Sequence, residues 1–274
     1  MSRKKTQLLS IPYLLWIVGF TVIPLLFVLE KALTSQEGSF TLSNLTAIFD
    51  PVHRKALFTS VKIAFISTLI CVLISYPAAL VLKSLGLKNK RTMIFIMILP
   101  MWMNFILRIL AIQMLISKNG IINHFLALVG AGPLEIINTP FAIILGTVYD
   151  YLPYMLLPVL NCVLAIPDDV IEASKDLGAD TYTVLVRILL PLSLSGIGSG
   201  ITMVFVPSMT EFVIANILGG GKILLLGNII EQEFSVSMNW NLGSGLSVTL
   251  MLFVLATTLI FGRTSSDTDR GFVI

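Results

Sequence analysis

The chain has 274 residues, of which 56% are hydrophobic and only 12% charged, and its mean hydropathy is +0.93. This composition is too apolar for a water-soluble domain and is typical of a protein that crosses a membrane several times. The net charge of +3 is small, so nucleic acid is not an expected partner. Cys71 and Cys162 lie inside apolar segments, which leaves no disulfide framework and no metal-ligand spacing.

Apolar runs long enough to cross a hydrocarbon core of about 30 Å recur along the chain. They predict an all-α membrane protein with one transmembrane domain over residues 1–274. The first run is too long for a secretory signal and no A-x-A-like cleavage site follows it, so we expect it to remain as the first span. The six predicted spans cover about residues 11–33, 57–82, 92–116, 140–165, 184–218 and 242–261.

The basic residues predict the orientation of these spans. More of them fall on segments that the span order places inside than on outer segments, as the positive-inside rule requires. An even number of spans puts both termini on the same side, which we expect to be the cytoplasm. The basic residues on the predicted inner segments are Arg3, Lys4, Lys5, Lys83, Lys88, Lys90, Arg91, Lys175, Arg187, Arg263 and Arg270.

A polar stretch separates the fourth and fifth predicted spans. Asp168 is a good N-cap for a short helix over residues 169–177, and Gly178 is a natural residue to follow its end. Asp180 or Thr181 is expected to begin a second helix that continues into the fifth span. The chain must turn sharply at Gly178, where only glycine adopts φ > 0 without strain.

The same stretch has the spacing E-A-x-x-x-x-G-x9-I-x-L-P, which resembles the cytoplasmic signature loop of ABC importer permeases of the binding-protein-dependent, MetI-like family. Ser174 replaces the usual second alanine, a small residue for a small residue. The resemblance implies that residues 167–191, here called the coupling loop, dock into a cleft on an ATPase subunit; the alternative is a loop that only connects two spans. The residues implied in docking are Glu172, Ala173, Ser174, Gly178, Ile188, Leu190 and Pro191.

Within this family the chain resembles the B-type permease subunits of spermidine/putrescine importers. That likeness implies a second, homologous permease subunit, two cytoplasmic ATPase subunits, an external substrate-binding protein and a linear polycation as cargo, in the lipid of a bacterial cytoplasmic membrane. It rests on Pro100-x-Trp102-x-Asn104 with Ile106 and Arg108, on Ser117-Lys118-x-Gly120, on the span over 140–158, and on Gly219-Gly220.

The sequence has no visible catalytic apparatus: no nucleophile with a partnered base, no glycine-rich phosphate loop and no metal-spaced cluster is evident. We therefore predict that the chain is not an enzyme and has no cofactor of its own. The resemblance implies that ATP and Mg²⁺ bind to the partner ATPase.

Two carboxylates, Asp150 and Glu211, lie within predicted spans, although a charge at mid-bilayer costs roughly 2.5 to 3.5 kcal/mol. Carboxylates and aromatic rings attract ammonium groups by charge and by cation–π interaction. The alternative for Asp150 is a structural hydrogen bond or an ion pair with Arg108, and Glu211 lies near the outer end of its span, where water reaches it. The predicted substrate pathway comprises Asp150, Tyr149, Tyr151, Tyr154, Trp102, Asn104 and Glu211.

Two other functions fit parts of this pattern. The same architecture carries other cargo, such as thiamine, ferric iron or an anion, and an anion path would favour arginine and helix N-termini over the two carboxylates. A secondary transporter or channel that works alone is the alternative from another class. Inverted repeats and discontinuous helices would support it, and neither is evident in the sequence.

Overall fold

The structure, a computed structural model, describes the backbone of residues 12–85 and 87–270 and the side chains of 12–85 and 92–259. Within these residues the regular structure is helical apart from a single isolated β-bridge between Thr34 and Phe40, which confirms the predicted all-α fold. Arg3, Lys4 and Lys5 lie outside the described residues, as do the side chains of Lys88, Lys90, Arg91, Arg263 and Arg270.

The longer helices are α1 (Pro12–Ala32), α2 (Pro51–Ser84), α3 (Leu87–Ile98), α4 (Phe105–Ile116), α5 (Ile121–Leu128), α6 (Pro140–Ala165), α7 (Asp168–Asp176), α8 (Thr181–Leu192), α9 (Leu194–Thr210), α10 (Val213–Gly219), α11 (Leu226–Ser235) and α12 (Trp240–Arg270). In the described part of the chain, five helical segments are long and apolar enough to cross a membrane, and the bent pair of α8 and α9 makes up to six. This number equals the number of predicted spans.

The chain divides into two compact units, Met1–Leu57 with Ile229–Phe253 and Phe58–Asn228 with Val254–Ile274. In the first unit, two asparagine side chains fix the turn that follows α1. The Asn44 amide donates to the Thr34 carbonyl at 2.9 Å, and the Asn241 amide donates to the same carbonyl at 2.6 Å. Backbone groups left free by the end of α1 therefore find partners within this unit.

In the second unit, α6 packs closely against α9 and α10. Apolar side chains of these helices, such as Met155, Leu160 and Val204, are fully buried there. Gly200 permits the approach, because a Cβ atom at this position would lie 2.5 Å from the Met155 sulfur. Small residues at helix contacts are the usual means of close packing in membranes.

The predicted span over 92–116 is not one continuous helix. After α3 the chain makes a 3₁₀ turn over Leu99–Trp102, and Met103 and Asn104 are extended before α4 begins. The Asn104 side chain accepts the Leu107 N–H at 3.2 Å and so caps α4. Asparagine favours such N-cap positions over helix interiors, which explains the interruption.

The predicted span over 184–218 is interrupted twice. α8, which contains a π-helical segment over Val184–Leu189, meets α9 at an angle of 62°. At that bend the Ser193 N–H and hydroxyl both donate to the Leu189 carbonyl, at 3.1 and 2.7 Å. The second interruption is at Glu211, which is extended. Discontinuous helices, which were not evident from the sequence, are therefore present.

Candidate functional site

A polar cluster lies in the second unit where α6 meets the start of α4 and the helix interruption at Glu211. We define the central cluster as Arg108 on α4, Asp150 and Tyr151 on α6, and Glu211 between α9 and α10. Arg108, Asp150 and Glu211 are 7%, 4% and 8% exposed in the chain. Charged residues are rarely buried to this extent unless they are paired, so each must be matched by a partner.

Arg108 is shared between Asp150 and the break that precedes α4. One terminal guanidinium nitrogen forms an ion pair with the Asp150 carboxylate, and the other donates to the Pro100 carbonyl at 2.8 Å. The ion pair with Arg108, one of the alternatives left open for Asp150, is therefore present in the structure. The Asp150 charge is compensated within the chain.

Glu211 caps α10. Its Oε1 atom accepts the N–H groups of Val213 and Ile214 at 2.8 and 3.0 Å, and its Oε2 atom accepts the Tyr151 hydroxyl at 2.9 Å. A carboxylate at a helix N-terminus is stabilised by free N–H groups and by the helix dipole. Glu211 is nevertheless buried, and the water-reached position expected from its place near the end of a span is not what the structure shows.

Of the remaining residues of the predicted pathway, Tyr149 and Tyr154 lie beside the cluster and are more exposed than its charged members. The Tyr151 and Tyr154 rings are tilted against each other with their centroids 6.0 Å apart. Tyr149 and Arg108 line one cavity of about 420 Å³, whose other walls are apolar. Trp102 is 76% exposed and packs edge-on against Phe95, so the described ring contacts do not bring it to the cluster.

The formal charges of the central cluster do not cancel. It contains one guanidinium and two carboxylates, and Arg108 pairs with Asp150, which leaves Glu211 without a cationic partner among the described side chains. Glu211 is held by hydrogen bonds alone. A buried ionisable residue within a predicted membrane span is by default a candidate functional residue.

The coupling loop has the predicted helix–turn–helix form. After α7, the Gly178 N–H bonds the Lys175 carbonyl at 2.8 Å and the Ala179 N–H bonds the Ser174 carbonyl at 3.0 Å, with Gly178 at φ +86°. This is the Schellman arrangement, in which the residue after the helix is left-handed. The first helix begins at Asp168, one residue before the predicted start, so that Asp168 is its first residue and Pro167, not Asp168, is the N-cap.

Asp180 caps the second helix of the coupling loop. Its side chain accepts the Thr183 N–H at 3.0 Å, which decides between Asp180 and Thr181 as the N-cap. Hydrogen bonds from the side chain and the backbone of Thr183 hold the pKa of the Asp180 carboxyl below its usual value.

The predicted docking residues of the coupling loop differ in exposure. Glu172 and Ala173 are exposed, whereas Ser174 is half-buried and its hydroxyl donates to the Ile171 carbonyl at 2.7 Å. Leu177, which follows α7, is 90% exposed. Ile188, Leu190 and Pro191 are half-buried on and next to the π-helical segment.

Comparison with known proteins gives the family. The sequence profile of the binding-protein-dependent transport system inner membrane component matches residues 7–267. The Haemophilus influenzae spermidine/putrescine transport system permease protein PotB is 34% identical over 263 residues, 93% of this chain and 92% of that protein.

Solved structures agree in fold. A chain of the bacterial alginate ABC transporter in complex with an alginate pentasaccharide-bound periplasmic protein has a TM-score of 0.77 at 14% identity, covering 96% of this chain and 95% of that one. A chain of the MetNI methionine ABC transporter in inward-facing conformations has a TM-score of 0.60 at 20% identity, covering 81% and 97%. The resemblance inferred from the coupling loop is confirmed: the chain belongs to the family of inner membrane components of binding-protein-dependent transport systems.

Proposed function

We propose that this chain is a permease subunit of an ATP-driven polyamine importer in a bacterial cytoplasmic membrane. The observation that carries the proposal is the 34% identity, over almost the whole of both chains, to a protein named for spermidine and putrescine transport. The fold of ABC importer permeases is consistent with it. An anion path is less well supported, because Arg108, which is buried, already pairs with Asp150.

The proposed assembly contains a second permease subunit, two cytoplasmic ATPase subunits and an external binding protein. The coupling loop would dock on an ATPase through the exposed side of α7, which carries Glu172 and Ala173, while Gly178 sets the turn and Ile188, Leu190 and Pro191 support the second helix. ATP and Mg²⁺ would be bound by the ATPase. This chain would contribute one wall of the pathway, and its coupling loop would transmit the motion of the ATPase to that wall.

The decisive experiment is reconstitution of this chain with its proposed partners in liposomes. We expect spermidine or putrescine, delivered by the binding protein, to stimulate ATP hydrolysis and to be taken up, with no response to thiamine, ferric iron or an anion. Stimulation by one of the latter alone would replace the proposed cargo. Uptake by this chain without the ATPase would instead show a secondary transporter.

The proposed orientation places both termini and the coupling loop in the cytoplasm. In a variant without native cysteines, Glu37→Cys should react with an impermeant thiol reagent added to intact cells, and Asp176→Cys should react only after lysis. Both positions are exposed, so access alone decides labelling. The reverse pattern would contradict the orientation and the coupling role together.

Cargo recognition is proposed to depend on Glu211, with Tyr149 and Tyr154 adding aromatic faces and Asp150, Tyr151, Trp102 and Asn104 completing the wall. Glu211→Gln keeps an oxygen that can cap α10 but removes the charge. A hydrogen bond to an ionised group contributes about 1.5 to 3 kcal/mol, so we expect uptake at low spermidine to fall about tenfold or more.

The control for this variant is Glu37→Gln, which makes the same change in charge on an exposed loop and should leave uptake unchanged. Normal uptake by Glu211→Gln, in protein of normal stability, would remove Glu211 from the pathway.

A further inference from the structure

The joint between α6 and the coupling loop is very short. α6 ends at Ala165, Ile166 and Pro167 are extended, and α7 starts at Asp168. The last carbonyls of a helix have no partner within it, and they lie at the negative end of its dipole. The joint therefore concentrates negative potential from the end of α6 beside the Asp168 carboxylate.

Lys83, in the last turn of α2, reaches this joint from the side. Its ammonium donates to the Ile166 carbonyl at 2.5 Å and forms an ion pair with the Asp168 carboxylate at 3.1 Å. The Lys83 side chain is only 11% exposed, whereas that of Asp168 is 79% exposed. A buried ammonium with two such partners is held in place, because moving it away from them would leave its charge buried without compensation.

An apolar contact accompanies this polar one. Leu80, one turn before Lys83 on α2, packs against a buried cluster of Ile166, Val184 and Leu189, and Ile171 of α7 packs on the same cluster. α2 therefore contacts both sides of the joint, through Leu80 on apolar side chains and through Lys83 on polar groups.

We propose that Lys83 is a positioning residue for energy coupling. Its ammonium joins the last carbonyl region of α6 to the first carboxylate of α7 and fixes the angle between the two helices, so that displacement of α7 moves α6 and α2 together. Without the ammonium, rotation about the backbone ψ angles of Ile166 and Pro167 lets α7 move without moving α6. This inference rests on the proposed function, in which α7 receives the motion of an ATPase.

The first test compares transport with ATP consumption in the reconstituted complex. Lys83→Met keeps most of the side-chain length and removes the ammonium, and we expect the ratio of uptake to ATP hydrolysed to fall about tenfold while hydrolysis continues. Lys83→Arg, which retains a cationic donor, should recover much of the ratio. The control is Lys222→Met, the same change at an exposed lysine outside the coupling loop that forms no ion pair among the described side chains, and it should leave the ratio unchanged.

A second variant keeps the test informative if Lys83→Met does not assemble. Asp168→Asn changes only the exposed partner, leaves the Ile166 contact and should lower the ratio about two- to fivefold. An unchanged ratio in either Lys83→Met or Asp168→Asn overturns the proposal. If the native complex moves no polyamine, the proposed cargo fails instead, and this outcome is seen before any variant is compared.

A third measurement does not depend on cargo. Spin labels on cysteines at Ser84 and Lys175, with Cys71 and Cys162 replaced by alanine, report the distance between the end of α2 and α7. We expect one narrow distance distribution for the native joint and a broad one for Lys83→Met. Equal widths would show that Lys83 does not fix the joint.

Discussion

Arg108→Gln alone is expected to destabilise the protein severely in detergent. The substitution leaves the buried Asp150 carboxylate without its cation and the Pro100 carbonyl without its donor. Loss of one partner of a buried pair typically costs about 3 to 5 kcal/mol. Asp150→Asn should have a comparable effect, since it leaves the guanidinium uncompensated, and thermal melting in detergent measures both.

The double variant Arg108→Gln with Asp150→Asn distinguishes structure from transport. Because it removes both charges of the pair and leaves neither one without the other, it should recover most of the lost stability. If the pair is purely structural, uptake recovers with it; if Asp150 also contacts cargo, stability recovers and uptake does not. If the loss of stability in the double variant equals the sum of the losses in the two single variants, the buried ion pair is contradicted.

A surface pair provides the matched control for this cycle. Lys118 and Glu135 lie 3.8 Å apart with side chains 72% and 77% exposed. Their neutralisation, singly or together, should change stability by no more than about 1 kcal/mol. The contrast between the two cycles isolates the effect of burial.

The second large effect is expected at Gly178. This residue has φ +86°, and no atom lies within 4 Å of where a Cβ would stand, so any penalty is conformational and not steric crowding. A left-handed conformation costs other residues roughly 1 to 2 kcal/mol, more when the side chain is β-branched and less for asparagine. We therefore expect coupled uptake to decrease in the order Gly178→Asn, Gly178→Ala, Gly178→Val, with the last nearly inactive.

The readouts for this series are uptake, ATP hydrolysis and co-purification of the ATPase. Gly132→Val is the control, because Gly132 also has open space around it but no left-handed φ. Full uptake by Gly178→Val would show that the coupling loop only connects two spans.

Local sequence features predicted several elements to within a residue. The segment predicted over 140–165 coincides with α6, which begins at Pro140 after the Thr139 side chain accepts the Ala142 N–H at 3.3 Å. Gly178 likewise marks the turn of the coupling loop. Helix caps and glycine turns depend on residues that are close together in the sequence, and so they can be predicted from a single sequence.

The interruptions of the spans were not predicted, because hydropathy averaged over a span hides them. Asn104 and Glu211 each lower the average slightly, yet each ends one helical segment and caps the next. A sequence signal existed for Asn104, which is a good N-cap residue just before a new apolar run, whereas Glu211 is not a typical N-cap residue and gave no such signal.

The central cluster was predicted only in part, since its contacts join distant residues. Asp150 and Glu211 stand out as charges within spans, but the choice between cargo and Arg108 as the partner of Asp150 depends on how α4 packs against α6. The bond from Tyr151 to Glu211 connects residues on different helices in the same way. Such pairings follow from tertiary packing, which periodicity does not determine.

The ion pair between Arg108 and Asp150 also affects how the chain enters the membrane during synthesis. The arginine emerges from the ribosome before the aspartate, on an earlier helix, and an arginine placed alone at the centre of a bilayer costs roughly 2.5 to 3.5 kcal/mol. α4 therefore gains its full preference for lipid only after α6 has been made. The two helices are best inserted together, with the first held at the translocon until the second arrives to neutralise it.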